Sequence, residues 1–226
     1  MRTIDLRKQH RELYQAGRKE PELVEVPELS FLSTDGRIER GSSPGTSAAF
    51  QEAVQALYGA AYTLKFSFKK RKTGAVDWPV MPLEALWWVE NGQFDLARPD
   101  DWSWRAMILQ PEQVTAEALE EAVAQLRRKR PSAALERLWL LRYEEGPCVQ
   151  CLHLGPYARE PATVERMRAF AEEKGLLERY EVRERRGHRD VYAHHEIYLG
   201  DPRRTAPEKL KTLLRHPVRR SKARPG

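Results

Sequence analysis

Apolar residues recur with a helical period between Thr46 and Lys69, where Phe50, Val54, Leu57, Ala61 and Leu64 share one face. That spacing predicts a helix, with Thr46 placed to cap it. A second helix opens at Thr115 and reaches about Lys129, with Leu119, Val123 and Leu126 in register. A third runs from about Ala162 to Lys174 and turns Val164, Met167, Phe170 and Ala171 inward. Between them lie short stretches rich in Val, Leu, Phe and Trp, which read as strands. They are Leu23 to Thr34, Val80 to Val89, Trp104 to Leu109, Val149 to Leu154, Ala193 to Leu199 and Leu213 to Val218. The loop Glu90-Asn91-Gly92 and a polar, Pro-containing segment join the second and third of these as a hairpin. Asp5 to Tyr14 reads as a short helix, and Lys19-Glu20-Pro21 marks the entry to the first strand. Tyr180 to Asp190, thick with Arg and Glu, reads as an exposed loop or extended hairpin tip.

Laid end to end, these elements give the order strand, turn, helix, strand, strand twice. Met81-Pro82-Leu83-Glu84-Ala85-Leu86-Trp87 falls opposite His194-His195-Glu196-Ile197-Tyr198-Leu199, and Met107 to Pro111 opposite Leu213 to Pro217. The fold class expected is therefore α+β and internally duplicated. The boundaries are a polar extension over 1–20, a first module over 21–111, a connecting helix over 115–130, a second module over 136–218 and a basic tail over 219–226. A length of 226 residues suits one large domain, two small ones, or one body built from two similar halves.

Composition narrows the class without changing the picture. Hydrophobic residues make up 41% and charged residues 32%, the balance of a globular chain with a solvated surface rather than a disordered one. The longest apolar run, Met81 to Val89 broken by Glu84, is far shorter than the roughly 20 residues of a membrane helix. No membrane partner is expected, and the charged start Met1-Arg2-Thr3-Ile4-Asp5-Leu6 lacks the pattern of a secretory signal, so a cytoplasmic location is expected. The net charge of +6 owes much to Arg215, Arg219, Arg220, Lys222 and Arg224 near the C-terminus. Such a tail is read as a solvated terminus, and nucleic acid is not an expected partner.

Cys148 and Cys151 have the spacing of a metal or redox pair, yet they lie in a stretch that reads as a strand. Residues three apart on a strand point to opposite faces, so reduced, buried thiols are expected. His194 and His195 diverge for the same reason. No metal or cofactor is expected, and neither a nucleophile-elbow serine nor a phosphate-binding glycine loop appears.

Alternation also sorts the strands that carry chemistry. Glu84, Leu86 and Trp88 share one face of their strand, and His194, Glu196 and Tyr198 share one face of theirs. Each such face combines a carboxylate with an aromatic ring. A carboxylate among apolar groups is poorly solvated, so it suits holding a planar cation beside stacking rings, or serving as a general base on water. The bland alternative is that Glu196 pairs with a nearby Arg or His and fastens strands. Trp87, Trp88, Trp102 and Trp104 are dense enough to serve both core and ligand site.

Several segments resemble the GyrI-like small-molecule-binding family, which also occurs as the effector-binding domains of multidrug-responsive transcription activators. They are Ala60 to Phe66, Val80 to Trp88, His153-Leu154-Gly155-Pro156-Tyr157, and His195-Glu196-Ile197-Tyr198-Leu199-Gly200-Asp201-Pro202-Arg203-Arg204. The resemblance covers roughly residues 20 to 218 and is similar to the stand-alone branch. It implies tandem strand-helix-strand-strand (SHS2-type) modules with pseudo-two-fold symmetry around a central ligand cleft. It also implies that Glu196 is the acid that holds small aromatic or cationic ligands, with Tyr157 and Tyr198 beside it. Some stand-alone relatives are enzymes that hydrolyse cyclopropane-bearing toxins, which makes Glu196 and Tyr157 the catalytic candidates. Glu84, Trp88, Trp104, Tyr62, His153, Tyr157, Glu196 and Tyr198 are the candidate ligand contacts. No helix-turn-helix precedes the matching region, so direct gene regulation is not expected. The alternative function is an interaction protein that modulates DNA gyrase or another macromolecule without catalysis.

Overall fold

The structure, a computed structural model, describes residues 1–15, 20–90, 94–185 and 188–220. Lys19, the loop residues Asn91 and Gly92, and Lys222 and Arg224 of the expected tail lie outside the described residues. Along the chain run β1 (Arg2–Thr3), α1 (Leu6–Gln9), α2 (Arg11–Tyr14), β2 (Glu22–Arg37), α3 (Ala48–Lys69), β3 (Val76–Asp77), β4 (Leu83–Trp88) and β5 (Ser103–Leu109). Then follow α4 (Ala116–Lys129), β6 (Trp139–Leu154), α5 (Glu160–Glu173), β7 (Leu176–Glu178), β8 (Glu181–Arg185), β9 (His188–Tyr192), β10 (His194–Tyr198) and β11 (Lys211–Arg220). The architecture is α+β. No helix among the described residues is long and apolar enough to cross a membrane.

The chain folds into two compact units, one of residues 1–11 and 29–143, the other of 12–28 and 144–226. It passes from one to the other at the start of α2, within β2 and again within β6. Both strands outrun the sequence reading, which starts β6 only at Val149. Gly146 and Pro147 look like a break, but glycine's tolerance of φ 73 lets the strand pass through them.

In the first unit an antiparallel sheet runs in the order β2, β5, β4, with Phe31 opposite Leu109 and Leu83 opposite Ile108. Every residue of β4 and β5 is buried, so these strands have no exposed face. α3 starts one residue later than its pattern suggests, because Ser47 is the cap: its Oγ accepts from Phe50 N at 3.1 Å, while Thr46 bonds back to Ser43. Phe50 sits against Trp87 and edge-on to Trp104, with centroids 5.0 and 5.2 Å apart, contacts worth about 0.5–1.5 kcal/mol each beyond area burial. Gly36 admits Trp104, since a Cβ there would lie 2.2 Å from the indole. The expected helix over Asp5 to Tyr14 is two short ones, α1 capped by Asp5 and then α2, separated where His10 leaves helical geometry.

In the second unit β11 pairs antiparallel with β6 on one side and with β10, placing Leu213 opposite both Leu152 and Ile197. The far end of β11 pairs with β7, and β8 and β9 form a hairpin where a loop or hairpin tip was expected. Alternation divides the chemistry of β10 and β11 between two faces. One carries His194, Glu196, Thr212 and His216. The other carries His195 and Arg215, with Glu145 and Gln150 of β6.

On that second face burial alone would push Glu145 up, but His195 at 3.1 Å and Arg215 at 3.4 Å outweigh it and hold the carboxyl below its usual range. Arg215 also donates to Leu13 O at 2.7 Å and to Gln150. Arg215 is thus a core residue of β11, not part of a solvated tail. Cys148 and Cys151 are both free and buried, and burial pushes both thiols up, so they stay protonated.

Removing one partner of a buried ion pair strands the other charge. Arg215→Ala should therefore cost about 3–5 kcal/mol in urea unfolding, and Glu145→Gln added to it should recover part of the loss. Because the folded carboxyl titrates below the unfolded one, the stability Glu145 contributes is present above the ordinary carboxylate range and is lost as pH falls through the folded value. A shallower acid limb in Glu145→Gln than in wild type, followed by urea unfolding across pH, checks this.

Candidate acid–histidine site

The first face of β10 and β11 is covered by the start of α5. The helix begins with Glu160 and Pro161 in its first turn, where a proline's missing N–H costs nothing. The chain reaches it through Gly155, whose φ of 123 a residue with a side chain rarely adopts. His153 braces this turn: its Nε2 donates to Pro156 O at 3.1 Å, which leaves Nδ1 to accept from Thr163 Oγ1 at 2.9 Å. The turn carries Tyr157, the exposed member of the group at 38%. Its ring meets Tyr198 edge-on with centroids 6.0 Å apart.

Below the tyrosines lie two carboxyls and an imidazole, all buried. His194 Nε2 is 3.1 Å from Glu196 Oε1 and 4.0 Å from Glu160 Oε2. Burial, then the charge of Glu196, pushes the Glu160 carboxyl up to about 10, against a weaker opposing hydrogen bond from Thr212. Glu160 is therefore a neutral acid at pH 7, and its Oε1 is buried with no hydrogen-bond partner among the described residues. Burial and the same two carboxyls raise the Tyr157 phenol, and burial with Glu196 raises Tyr198, which hydrogen-bonds Glu196. Both remain hydrogen-bond donors. The group thus sets a carboxyl raised by burial beside a second carboxyl whose charge raises it further.

Of the residues singled out from the sequence, Tyr157, Glu196 and Tyr198 come together here, and His153 supports them from behind. Tyr62, Glu84, Trp88 and Trp104 belong to the first unit. Tyr62 is 48% exposed on α3, in a row with Tyr58 and Phe66. Glu84 is fully buried in β4, Trp88 donates from its indole to Glu90 at 3.0 Å, and Trp104 is core. Glu160, Thr212 and His216 were missed. An acid in the first turn of a helix looks like ordinary dipole compensation, and only Pro161 hinted that the helix starts there.

The ligand-type atoms of Glu160, His194 and Glu196 lie within 4.8 Å of one another, a spacing a divalent ion could bridge. Without an ion, His194 is hydrogen-bonded to Glu196, and burial with the charge of Glu196 raises the Glu160 carboxyl. Acid, imidazole and tyrosine rings together have the chemistry to bind a small aromatic or cationic molecule.

No family model and no curated protein matches the chain. A conserved protein of Listeria innocua of known structure is 41% identical with a TM-score of 0.82, over 96% of this chain and 100% of that one. Two crystal structures described as hydrolases from Listeria innocua are 38% and 40% identical, with TM-scores of 0.77 and 0.78, each over 96% of this chain and 100% of theirs. The C-terminal domain of EcmrR is 9% identical with a TM-score of 0.52, over 89% of this chain and 98% of that domain. That likeness is one of fold alone.

An acid raised on folding costs stability as pH rises, because the unfolded chain gives up the proton first. The loss accrues between the ordinary 4.5 and about 10. Glu160→Gln removes it. At about pH 8 the variant should melt above wild type by at least ~1 kcal/mol, or about 2–4 °C, and the two should converge near pH 4. Calorimetry at the two pH values checks the difference.

Proposed function

The chain belongs to the family of those Listeria innocua proteins, and from that premise we propose that it is a hydrolase of small aromatic or cationic electrophiles, working at Glu160 and Glu196. The observation that carries the reading is the pair of buried carboxyls, Glu196 and Glu160, that converge on His194 Nε2 at 3.1 and 4.0 Å. Two relatives described as hydrolases support the reaction class. The sequence resemblance to the GyrI-like family supports the ligand class.

Glu196 acts as the base and takes a proton from water as the new C–O bond forms. Glu160 acts as the acid and gives its proton to the carbon or oxygen on which the electrons of the broken bond come to rest. The pair reinforces itself. Once Glu196 is protonated, the negative charge that weakens Glu160 as an acid is gone, so Glu160 releases its proton more readily at the step that needs it. Passing the proton from Glu196 back to Glu160 restores the starting state. Tyr157 and Tyr198 hold the ligand's ring and donate hydrogen bonds to it or to Glu196. A cyclopropane-bearing aromatic electrophile fits this scheme. Ring opening by water needs one base, one acid and no metal, and it would serve as detoxification.

The test is to incubate the protein in ¹⁸O water with a panel of cyclopropane-bearing and ester-bearing aromatic compounds after exhaustive chelation. Wild type should give products carrying one heavy oxygen. Glu196→Gln should lower the rate by about 10²–10⁴ with its fold intact. The wild-type rate should hold on the alkaline side until pH approaches about 10, where Glu160 loses its proton. Binding without any product would replace the hydrolase reading with that of a ligand sponge, and loss of turnover on chelation would make the site a metal centre.

A further inference from the structure

Hydrogen bonds continue behind Glu196, away from the tyrosines. His194 Nε2 lies 3.1 Å from Glu196 Oε1, His194 Nδ1 lies 2.8 Å from His216 Nε2, and His216 Nδ1 lies 2.7 Å from Glu178 Oε1. The two imidazoles are each 1% exposed, whereas the Glu178 side chain is 15% exposed. Strand pairing builds the row: with His195 opposite Arg215, His194 of β10 faces His216 of β11, and Glu178 closes β7 opposite Val218. We infer that His194 and His216 form a proton relay between the buried carboxyl pair and the surface of the unit at Glu178.

Imidazole suits the task because it can take a proton at one nitrogen and release another from the second. The accounting closes. A proton on Glu196 that is not handed back to Glu160 passes to His194 Nε2, the proton on His194 Nδ1 passes to His216 Nε2, and the proton on His216 Nδ1 passes to Glu178, which yields it to solvent; the same steps in reverse supply a proton when Glu160 lacks one. Each transfer makes one N–H or O–H bond and breaks one. His216 is faced by Glu178, Tyr180 and His194, with Arg168 beyond at 3.4 Å from Glu178; His194 is faced by Glu160, Glu196 and His216. Tyr180 Oη is 3.0 Å from His216 Nδ1 and 3.4 Å from Glu178 Oε1, so its hydrogen can turn to whichever is left without one. Burial, partly offset by Glu178, lowers His216 and keeps it a neutral carrier.

The inference rests on the reading of Glu196 as the base. A ligand lying against Tyr157 and Tyr198 covers that side of the carboxylate, and the relay keeps the pair in exchange with solvent from behind.

The relay requires one proton on each ring between transfers, two protons shared among three links, with Glu178 and Glu196 competing for them from the two ends. Removing one charge should hand the protons to the other end. The test is ¹⁵N NMR of histidine side chains in the full chain, with no ligand added. In Glu178→Gln, both His216 and the distant His194 should move together toward the Nε2–H form. In Glu196→Gln both should move toward Nδ1–H, with His216 now the distant reporter. A distant ring whose two nitrogen shifts stay put in either folded variant overturns the relay. If one variant fails to fold, the other decides alone. No substrate is needed, so failure to find hydrolysis and failure of the relay are separate results.

Discussion

Two carboxyls this near one another, both out of water, do not ionise together, and the second unit is arranged around that constraint. Charging both would set like charges side by side where little water screens them. The fold answers with a proton on Glu160 and hydrogen-bond donors on Glu196. The turn at Gly155 and the proline in the first turn of α5 hold the helix end, and therefore Glu160, over the β10–β11 face. Directly through the sheet, the same strands bury a third carboxyl, Glu145, and answer differently, with Arg215 and His195 as permanent partners. One face of the sheet thus holds a raised carboxyl with its proton, and the other a lowered carboxyl paired with Arg215 and hydrogen-bonded to His195. Chemistry belongs on the first and rigidity on the second.

Much of this was legible in the sequence where a periodic pattern meets a single physical cause. The long helix showed in the spacing of Phe50, Leu57, Ala61 and Leu64. Strand alternation put His194, Glu196 and Tyr198 on one face, where they stand. It kept Cys148 from Cys151 as well. The site's second acid was illegible, because its raised pKa comes from burial and from the charge of a residue 36 positions away, across a helix–strand contact that no local pattern encodes. Arg215 was misread for a related reason: among so many surface cations near the C-terminus, only strand pairing distinguishes the one that lies inside. The bland reading of Glu196, as a strand fastener paired with a histidine, turned out to describe a real contact. It does not compete with the chemical one, because the histidine is a proton carrier.

The burial of Arg215 also weighs on the rival view of the chain as a partner of gyrase or another macromolecule. That view drew on positive charge near the C-terminus, and one of the five cations counted there is spent on Glu145. A shared fold is no help to either view, since likeness at 9% identity places the EcmrR domain and this chain in one architecture without a common task. What distinguishes the readings is the site, which under the proposed function supplies an acid, a base and a way for protons to reach them.

Under the proposed chemistry, binding and turnover draw on the same negative charge and therefore oppose one another. A cation seated beside Glu196 is held by the carboxylate's charge, and that same attraction makes the carboxylate a weaker base. A neutral electrophile gains nothing from the charge on binding but leaves the base at full strength. The tightest cationic ligands of such a site are consequently poor substrates. The compounds it destroys fastest are neutral ones held by Tyr157 and Tyr198, which acquire negative charge only as the bond breaks. Glu160 is placed to meet that charge, and it becomes a competent acid only after Glu196 has done its part.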